Sequence, residues 1–405
     1  MRASAVASLF IERDYNGHAF RVRCVTHHNL EILDGAELEN GLANGTISVN
    51  SIHIMWCTDA IADALENFFK KYNASVLDKL VSIKLSIPNV TYTMKPLEKI
   101  ISTLNFYCAA KNVEAFHFAI KTSDTNIQVA FDMLQTLVFV STIEELSVSL
   151  CNFYKPESVS FQKCKNLKKI STWYCDKLTR ELILANSRTL KQILVVSALE
   201  EDCPAILDAV CQVEPGTLTM LDFSHSSAWS EKEARALERI FESQKSSLRC
   251  VILQEQNANN AHPGRFPSAK GLNLVGSLCV PYAPCEWKEK LFPLLSTTIL
   301  LKHLYLVTVS KDELQCIVSY LRENCGSITR FSSANLNYSP EQGKQLDILQ
   351  NITLQNKKRI SYVKHQCMYI LACLNRKSYL NTDIRIRDVW MIITQCLWNT
   401  RSQIH

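Results

Sequence analysis

The chain has 405 residues, of which 47% are apolar, 20% charged and 9% aromatic. That composition buries a core and excludes wholesale disorder, while only 10 glycines and 11 prolines argue against a turn-dense all-β barrel. Forty-four basic side chains against 39 acidic ones leave +5, too thin an excess for a nucleic-acid footprint. Apolar runs such as 137–140 and 368–371 are four residues long, far short of the roughly 20 that span a membrane.

Residues 1–11 begin like a signal peptide, with one Arg and a run of small and apolar side chains, but charge returns at Glu12-Arg13-Asp14. The apolar part is short for an export signal. Sixteen cysteines are scattered without a single C-x-x-C spacing, which leaves zinc and thioredoxin-type motifs unsupported. The expectation is a cytoplasmic chain whose thiols are reduced and mostly buried. Sequons such as those at Asn44, Asn73, Asn89 and Asn351 are then unused.

In chain order, residues 1–45 read as an N-terminal cap. A frame L-x-x-L-x-L, any apolar residue being allowed, then recurs eleven times at offsets of 23 to 33 residues. The copies are Val49-Ile52-Ile54, Leu80-Ile83-Leu85, Val113-Phe116-Phe118, Ile143-Leu146-Val148, Leu167-Ile170-Thr172, Leu190-Ile193-Val195, Leu218-Leu221-Phe223, Leu248-Val251-Leu253, Val275-Leu278-Val280, Leu301-Leu304-Leu306 and Ile328-Phe331-Ser333. A weaker copy stands at Leu30-Leu33. Each frame predicts a short strand, because its last apolar residues alternate with period two. Helical periodicity follows the frames, over Asp59–Tyr72, Asn126–Leu137, Ser230–Gln244, Lys311–Asn324 and Ser339–Leu354. Ser230–Gln244 is the clearest: Ser230 and Glu233 form a capping box, and Ala234, Leu237, Ile240 and Phe241 share one face. In Lys311–Asn324 the shared face is Leu314, Ile317, Val318 and Leu321.

The repeated strand–turn–helix unit resembles the leucine-rich repeat, and its length and helical content match the ribonuclease-inhibitor-like subclass. The resemblance covers roughly residues 25–355. It implies an α/β solenoid, a horseshoe with parallel strands on the concave face and helices on the convex face. Elementary packing says the same: one unit cannot bury both its strand and its helix face, so neighbours must stack. The family places Asn or Cys eight residues after the first leucine, bonding neighbouring backbone; Cys57, Cys151 and Cys175 stand at that offset, and the other repeats carry different residues there. The domain reading is a cap over 1–45, a solenoid over 46–356 and a C-terminal helical cap over 357–405.

Two regions break the pattern. Residues 254–271 are polar, with two prolines and two glycines, and read as a surface loop replacing most of one helix. Lys357–Lys377 is an amphipathic helix with Val363, Cys367, Ile370 and Leu371 on one face, and Ile386–Thr400 is a second. These two helices suit a cap that shields the last repeat. Ile386–Trp398 also resembles the first helix of an F-box, although its opening Leu-Pro is missing. That resemblance implies a docking element for a ubiquitin-ligase adaptor, carried by Val389, Trp390, Ile393 and Trp398.

Strand alternation turns the frame into a surface map. If the frame residues point inward, offsets +2, +4 and +6 from the first leucine line the groove. The N-terminal third of that groove offers His53, Lys84 and His117, with no acid before Glu145. The centre offers Trp173 beside Leu194 and Val196, and Asp222 and Tyr305 lie further on. Aromatic and apolar residues in a groove mark binding hot spots. The competing reading is a one-residue slip in these degenerate repeats, which would turn every one of these side chains into the core.

No chemistry-bearing motif accompanies the repeats. The Gly-rich phosphate loops, G-x-S-x-G and H-E-x-x-H are all absent. His27-His28 is an adjacent pair on a probable loop, and adjacent side chains point apart. The acidic tail of GTPase-activating relatives of the repeat fold is missing, since the chain ends Arg401-Ser402-Gln403-Ile404-His405. The expectation is a non-catalytic scaffold without cofactor, metal, nucleic-acid or membrane binding, which holds a protein partner in the groove. The alternative is a substrate receptor of a ubiquitin ligase.

Overall fold

The computed structural model describes residues 5–13, 20–26, 32–55, 57–72, 74–87, 90–120, 127–150, 161–198, 202–225, 230–255, 277–280, 302–306, 314–315, 317–319, 328–333 and 340–376. The chain divides into two compact units, Met1–Gly271 and Leu272–His405.

In the first unit each frame is a strand. They are β4 (Ile47–Ile54), β5 (Ser82–Ile87), β6 (Ala115–Ile120), β7 (Glu145–Leu150), β8 (Lys169–Trp173), β9 (Gln192–Ala198), β10 (Met220–His225) and β11 (Cys250–Glu255). Consecutive strands pair in parallel, so the frames stack residue on residue: Ile52, Ile83, Phe116, Leu146, Ile170, Ile193, Leu221 and Val251 form one row. All eight are buried, each contributing roughly 1.5–3 kcal/mol by leaving water. The alternation expected of the frames therefore holds along β4–β11, with local register shifts at Ala7/Ser8 against β4 and at Phe223/His225 between β9 and β10.

A backbone ladder locks that register. The carbonyl of Val81 accepts from the N–H groups of both Glu114 and Ala115, each at 2.9 Å. Glu114 serves Glu144 and Glu145 in the same way, Glu144 serves Lys168 and Lys169, and Lys168 serves Lys191 and Gln192. Lys191 then serves Thr219 and Met220, and Thr219 serves Arg249 and Cys250. Every acceptor stands one residue after the first frame leucine, so the chain enters each strand at an equivalent point.

The connections supply helices that cover one face of the sheet: α2 (Asp59–Lys71), α3 (Val90–Cys108), α4 (Ile127–Leu134), α5 (Asp176–Ala185), α6 (Cys203–Val210) and α7 (Glu231–Ser243). In α7 the Ser230 hydroxyl accepts from the Glu233 N–H at 3.4 Å, and the Glu233 carboxylate accepts from the Ser230 N–H at 2.6 Å. Ala234, Leu237, Ile240 and Phe241 are buried, the face expected from the 3.6-residue period. The Asn126–Leu137 helix is shorter, α4 giving way to a 3-10 turn at Val138–Ser141. Phe116, Phe118, Phe131, Phe139 and Phe161 fill the core beneath it, with Phe118 and Phe131 edge to face at 5.1 Å.

The N-terminal segment, read from the sequence as a cap, is built mainly of strands. Residues Ala5–Arg13 form β1, which runs parallel to β4 with Ala7, Leu9 and Ile11 buried. β1 thus extends the sheet to nine parallel strands alternating with helices, an α/β arrangement consistent with a repeat solenoid. β2 (Phe20–Thr26) and β3 (Ile32–Asp34) add to it antiparallel, and α1 (Gly35–Ala43) follows. The weaker frame at Leu30-Leu33 is therefore not a repeat. Leu33 lies in antiparallel β3, opposite Cys24, and β1 takes the place beside β4.

In the second unit β12 (Ser277–Val280), β13 (His303–Leu306) and β14 (Arg330–Ser333) pair in parallel, again frame on frame. The Lys302 carbonyl accepts from Thr329 and Arg330, repeating the ladder. Leu314, Ile317 and Val318 are buried, as expected of that helix face. The two helices expected over 339–354 and 357–377 are one, α8 (Pro340–Arg376), running unbroken through residue 356. No proline or glycine interrupts the join, and Asn356 is buried there with its amide donating to the Ile328 carbonyl at 3.0 Å. The 256–271 part of the polar stretch lies outside the described residues, as do His27-His28 and 377–405; Gln254 and Glu255 belong to β11.

Candidate functional site

Because the helices cover one face of the first unit's sheet, the other face presents the residues between the frame positions. One row crosses all nine parallel strands: Phe10, His53, Lys84, His117, Ser147, Ser171, Leu194, Asp222 and Ile252. Five expected site residues, His53, Lys84, His117, Leu194 and Asp222, stand in it. Trp173 stands in the next row, between Ser149 and Val196. Tyr305 lies in the second unit, on β13 opposite Cys279 and Ser332, and its side chain is outside what is described. Val389, Trp390, Ile393 and Trp398 lie wholly outside the described residues.

The face has two chemically distinct halves. The β1–β8 half is polar and internally paired. The His53 ring packs on Phe10 with centroids 4.3 Å apart, and its Nε2 is 3.2 Å from the Ser51 hydroxyl, which in turn donates to Ser8 at 2.7 Å. Glu145 accepts from Lys169 at 2.6 Å and lies 3.9 Å from His117 Nε2. Burial holds the His117 imidazole below the ordinary histidine range; Glu145 opposes this, while Lys84 and Lys169 add to it. His117 is thus neutral at physiological pH. Lys84 is exposed between the two histidines.

The β8–β11 half is apolar. Trp173 is 47% exposed. The next residue, Tyr174, turns into the left-handed region at φ 57°, and its ring lies nearly parallel to the indole, 14° off plane. A non-glycine residue there is strained, so the turn that stacks the two rings is imposed by its surroundings. Leu194, Val196, Met220 and Ile252 are half-buried and continue the patch. Asp222 lies among them, facing Leu194 on one side and Ile252 on the other. Burial pushes its carboxyl up to about 6. It has no ion-pair or hydrogen-bond partner among the described residues.

Several structural residues were missed by pattern reading. Asn186 is buried; its amide nitrogen donates to the Cys164 and Leu182 carbonyls, and its oxygen accepts from the Leu167 N–H. Gln244 does the same work two repeats on, accepting from Thr217 and Leu218 and donating to Val213 and Glu214. Each stands four residues before its frame leucine, a spacing that could have flagged them. Cys175, one of the cysteines eight residues after a frame leucine, is buried with its thiol 3.7 Å from the Val148 carbonyl of the preceding strand.

Cys57, Cys108, Cys164, Cys175, Cys203, Cys211 and Cys250 are free thiols. Burial pushes the thiols of Cys57, Cys108 and Cys164 up to about 12, and those of Cys175 and Cys203 higher still. Among the described residues no three His, Cys, Asp or Glu side chains converge as a metal site would require, and no helix is long and apolar enough to cross a membrane. Compared with known proteins, the chain matches no family model and no curated protein.

Proposed function

We propose that this protein is a leucine-rich-repeat scaffold of the ribonuclease-inhibitor-like kind, which binds a protein partner on the face of its sheet opposite the helices and carries out no catalysis there. Frame-on-frame stacking and the repeating carbonyl ladder support the repeat class. Geometry supports the curvature such a class requires. Neighbouring strands sit about 4.8 Å apart, whereas packed helices need roughly 8–10 Å. A stack with strands on one side and helices on the other bends toward its strands, which makes the strand face concave.

The observation that carries the functional reading is the patch around Trp173. A half-exposed indole beside Leu194, Val196, Met220 and Ile252 is uncommon on a surface with no partner, and such anchors dominate interface energetics. The rigid sheet beneath holds them at fixed spacing.

Site-specific photo-cross-linking tests the reading. A cross-linking amino acid at Ser171, on the strand face, is compared with one at Glu238, on the outer side of α7. Adducts with the same protein partner at Ser171 and not at Glu238 are expected. Equal labelling at both positions, or labelling at Glu238 alone, would overturn it.

A further inference from the structure

Asp222 does not fit a face built only for apolar contact. Glu145, on the same face, is already neutralised by Lys169. Asp222 has no such base among the described residues. Its row neighbours are Leu194 and Ile252, and the flanking rows bring Gln192, Val196, Met220, Cys250, Ser224 and Gln254, none of them a base. A carboxylate surrounded in this way loses hydration without gaining a counter-charge. A cation arriving with a ligand would supply that charge where the dielectric is low and the attraction strong. Phosphate-bearing ligands are disfavoured for the same reason.

Trp173 and Asp222 sit two strands and two residues apart, which at sheet spacings is about 12 Å. Four residues of extended chain span roughly 13 Å, so one short peptide segment reaches both.

We propose that the β8–β11 half of this face binds an extended segment of a protein partner that places a lysine or arginine against Asp222 and a bulky apolar side chain against Trp173 and Val196. This deepens the scaffold reading and rests on it. Trp173 supplies apolar contact area, and Asp222 supplies selectivity, because an uncharged side chain there would leave the carboxylate desolvated and unpaired.

The test pans displayed random dodecapeptides against the full-length chain and measures the affinity of the best synthetic peptide. Enrichment of Lys or Arg near a bulky apolar residue is expected. Asp222→Asn should weaken binding roughly 10–100-fold and Trp173→Ala about tenfold or more, with thermal melts confirming that both variants fold. Lys84→Ala should change it less than about twofold. Recovery of no peptide, recovery of peptides without a basic residue, or an affinity unchanged in Asp222→Asn would overturn the inference. So would arginine amide alone binding as tightly as the peptide, since the site would then take a free cation. If Lys84→Glu or His117→Ala abolishes binding while Asp222→Asn does not, the strand face still binds and only the basic-segment inference falls. If no substitution on the face matters, the scaffold reading falls with it.

Discussion

Asp222 pairs across the sheet with Leu194, an apolar side chain, where a structural carboxylate would meet a base. Its position opposes stability at neutral pH. Burial raises the carboxyl to about 6 in the folded chain, so the folded state binds a proton that the unfolded state has already released. Unfolding becomes less favourable as pH falls through 6 toward 4, and the folded chain carries the full penalty above that window. Asp222→Asn should therefore raise stability by about 1–2 kcal/mol at pH 7.5. The gain should vanish near pH 4, as thermal melts across that range would record. Cys250, on the neighbouring strand and the same face, stays protonated throughout because burial raises its thiol.

The buried amides should behave in the opposite way. Asn186→Ala strands the Leu167 N–H and the Cys164 carbonyl in the core, and about 2–4 kcal/mol of stability should be lost. Asn105 also bridges neighbouring backbone, donating to Thr136 and accepting from Val138, but it does so in solvent. Asn105→Ala should cost at most about 1 kcal/mol. Urea titrations of the two variants separate the cases.

Loss of the α7 capping box should be intermediate. Ser230→Ala removes the hydroxyl that accepts from the Glu233 N–H and should destabilise by about 1 kcal/mol. Ser230→Thr, which keeps the acceptor, should recover most of it.

Thiol reactivity checks burial directly. Alkylation at pH 7.5 followed by peptide mass spectrometry should leave Cys57, Cys108, Cys164, Cys175 and Cys203 unmodified in the folded chain and modify all five in urea. The thiolate is the nucleophile, and burial suppresses it. Modification of Cys175 in the native state would mean that the turn after β8 opens.

Trp173→Ala should cost no more than about 1 kcal/mol, because the indole is half-exposed. Phe116→Ala, deep in the phenylalanine cluster, should cost roughly 3–5 kcal/mol. Equal effects on a denaturation curve would place Trp173 in the core and refute the interaction surface.

The repeat was legible in the linear chain because its signals are local. Period-two alternation at Ile52-Ile54 or Leu85-Ile87 is a steric property of one strand, and the capping box of Ser230 and Glu233 spans three residues. Offsets of 23 to 33 residues between frames then imply stacking without any knowledge of contacts. The groove map followed from the same alternation, which is why His53, Lys84, His117, Leu194 and Asp222 fall in one row. Non-local facts were out of reach. β1 lacks the frame, so nothing in its residues announces that it lies beside β4 and carries Phe10 onto His53. The bonds of Asn186 to residues 19 and 22 positions away are likewise invisible without the fold.

Thus residue order settles the architecture of each unit, which strands form, which faces they bury and where the helices begin, since those depend on neighbours a few positions apart. Three-dimensional packing settles the chemistry of the face. Whether a carboxylate meets a base, as Glu145 meets Lys169, or apolar neighbours, as Asp222 meets Leu194 and Ile252, depends on residues 24 to 30 positions away in the chain. Their meeting is fixed by strand order and register, and so by burial of the whole core rather than by any local preference.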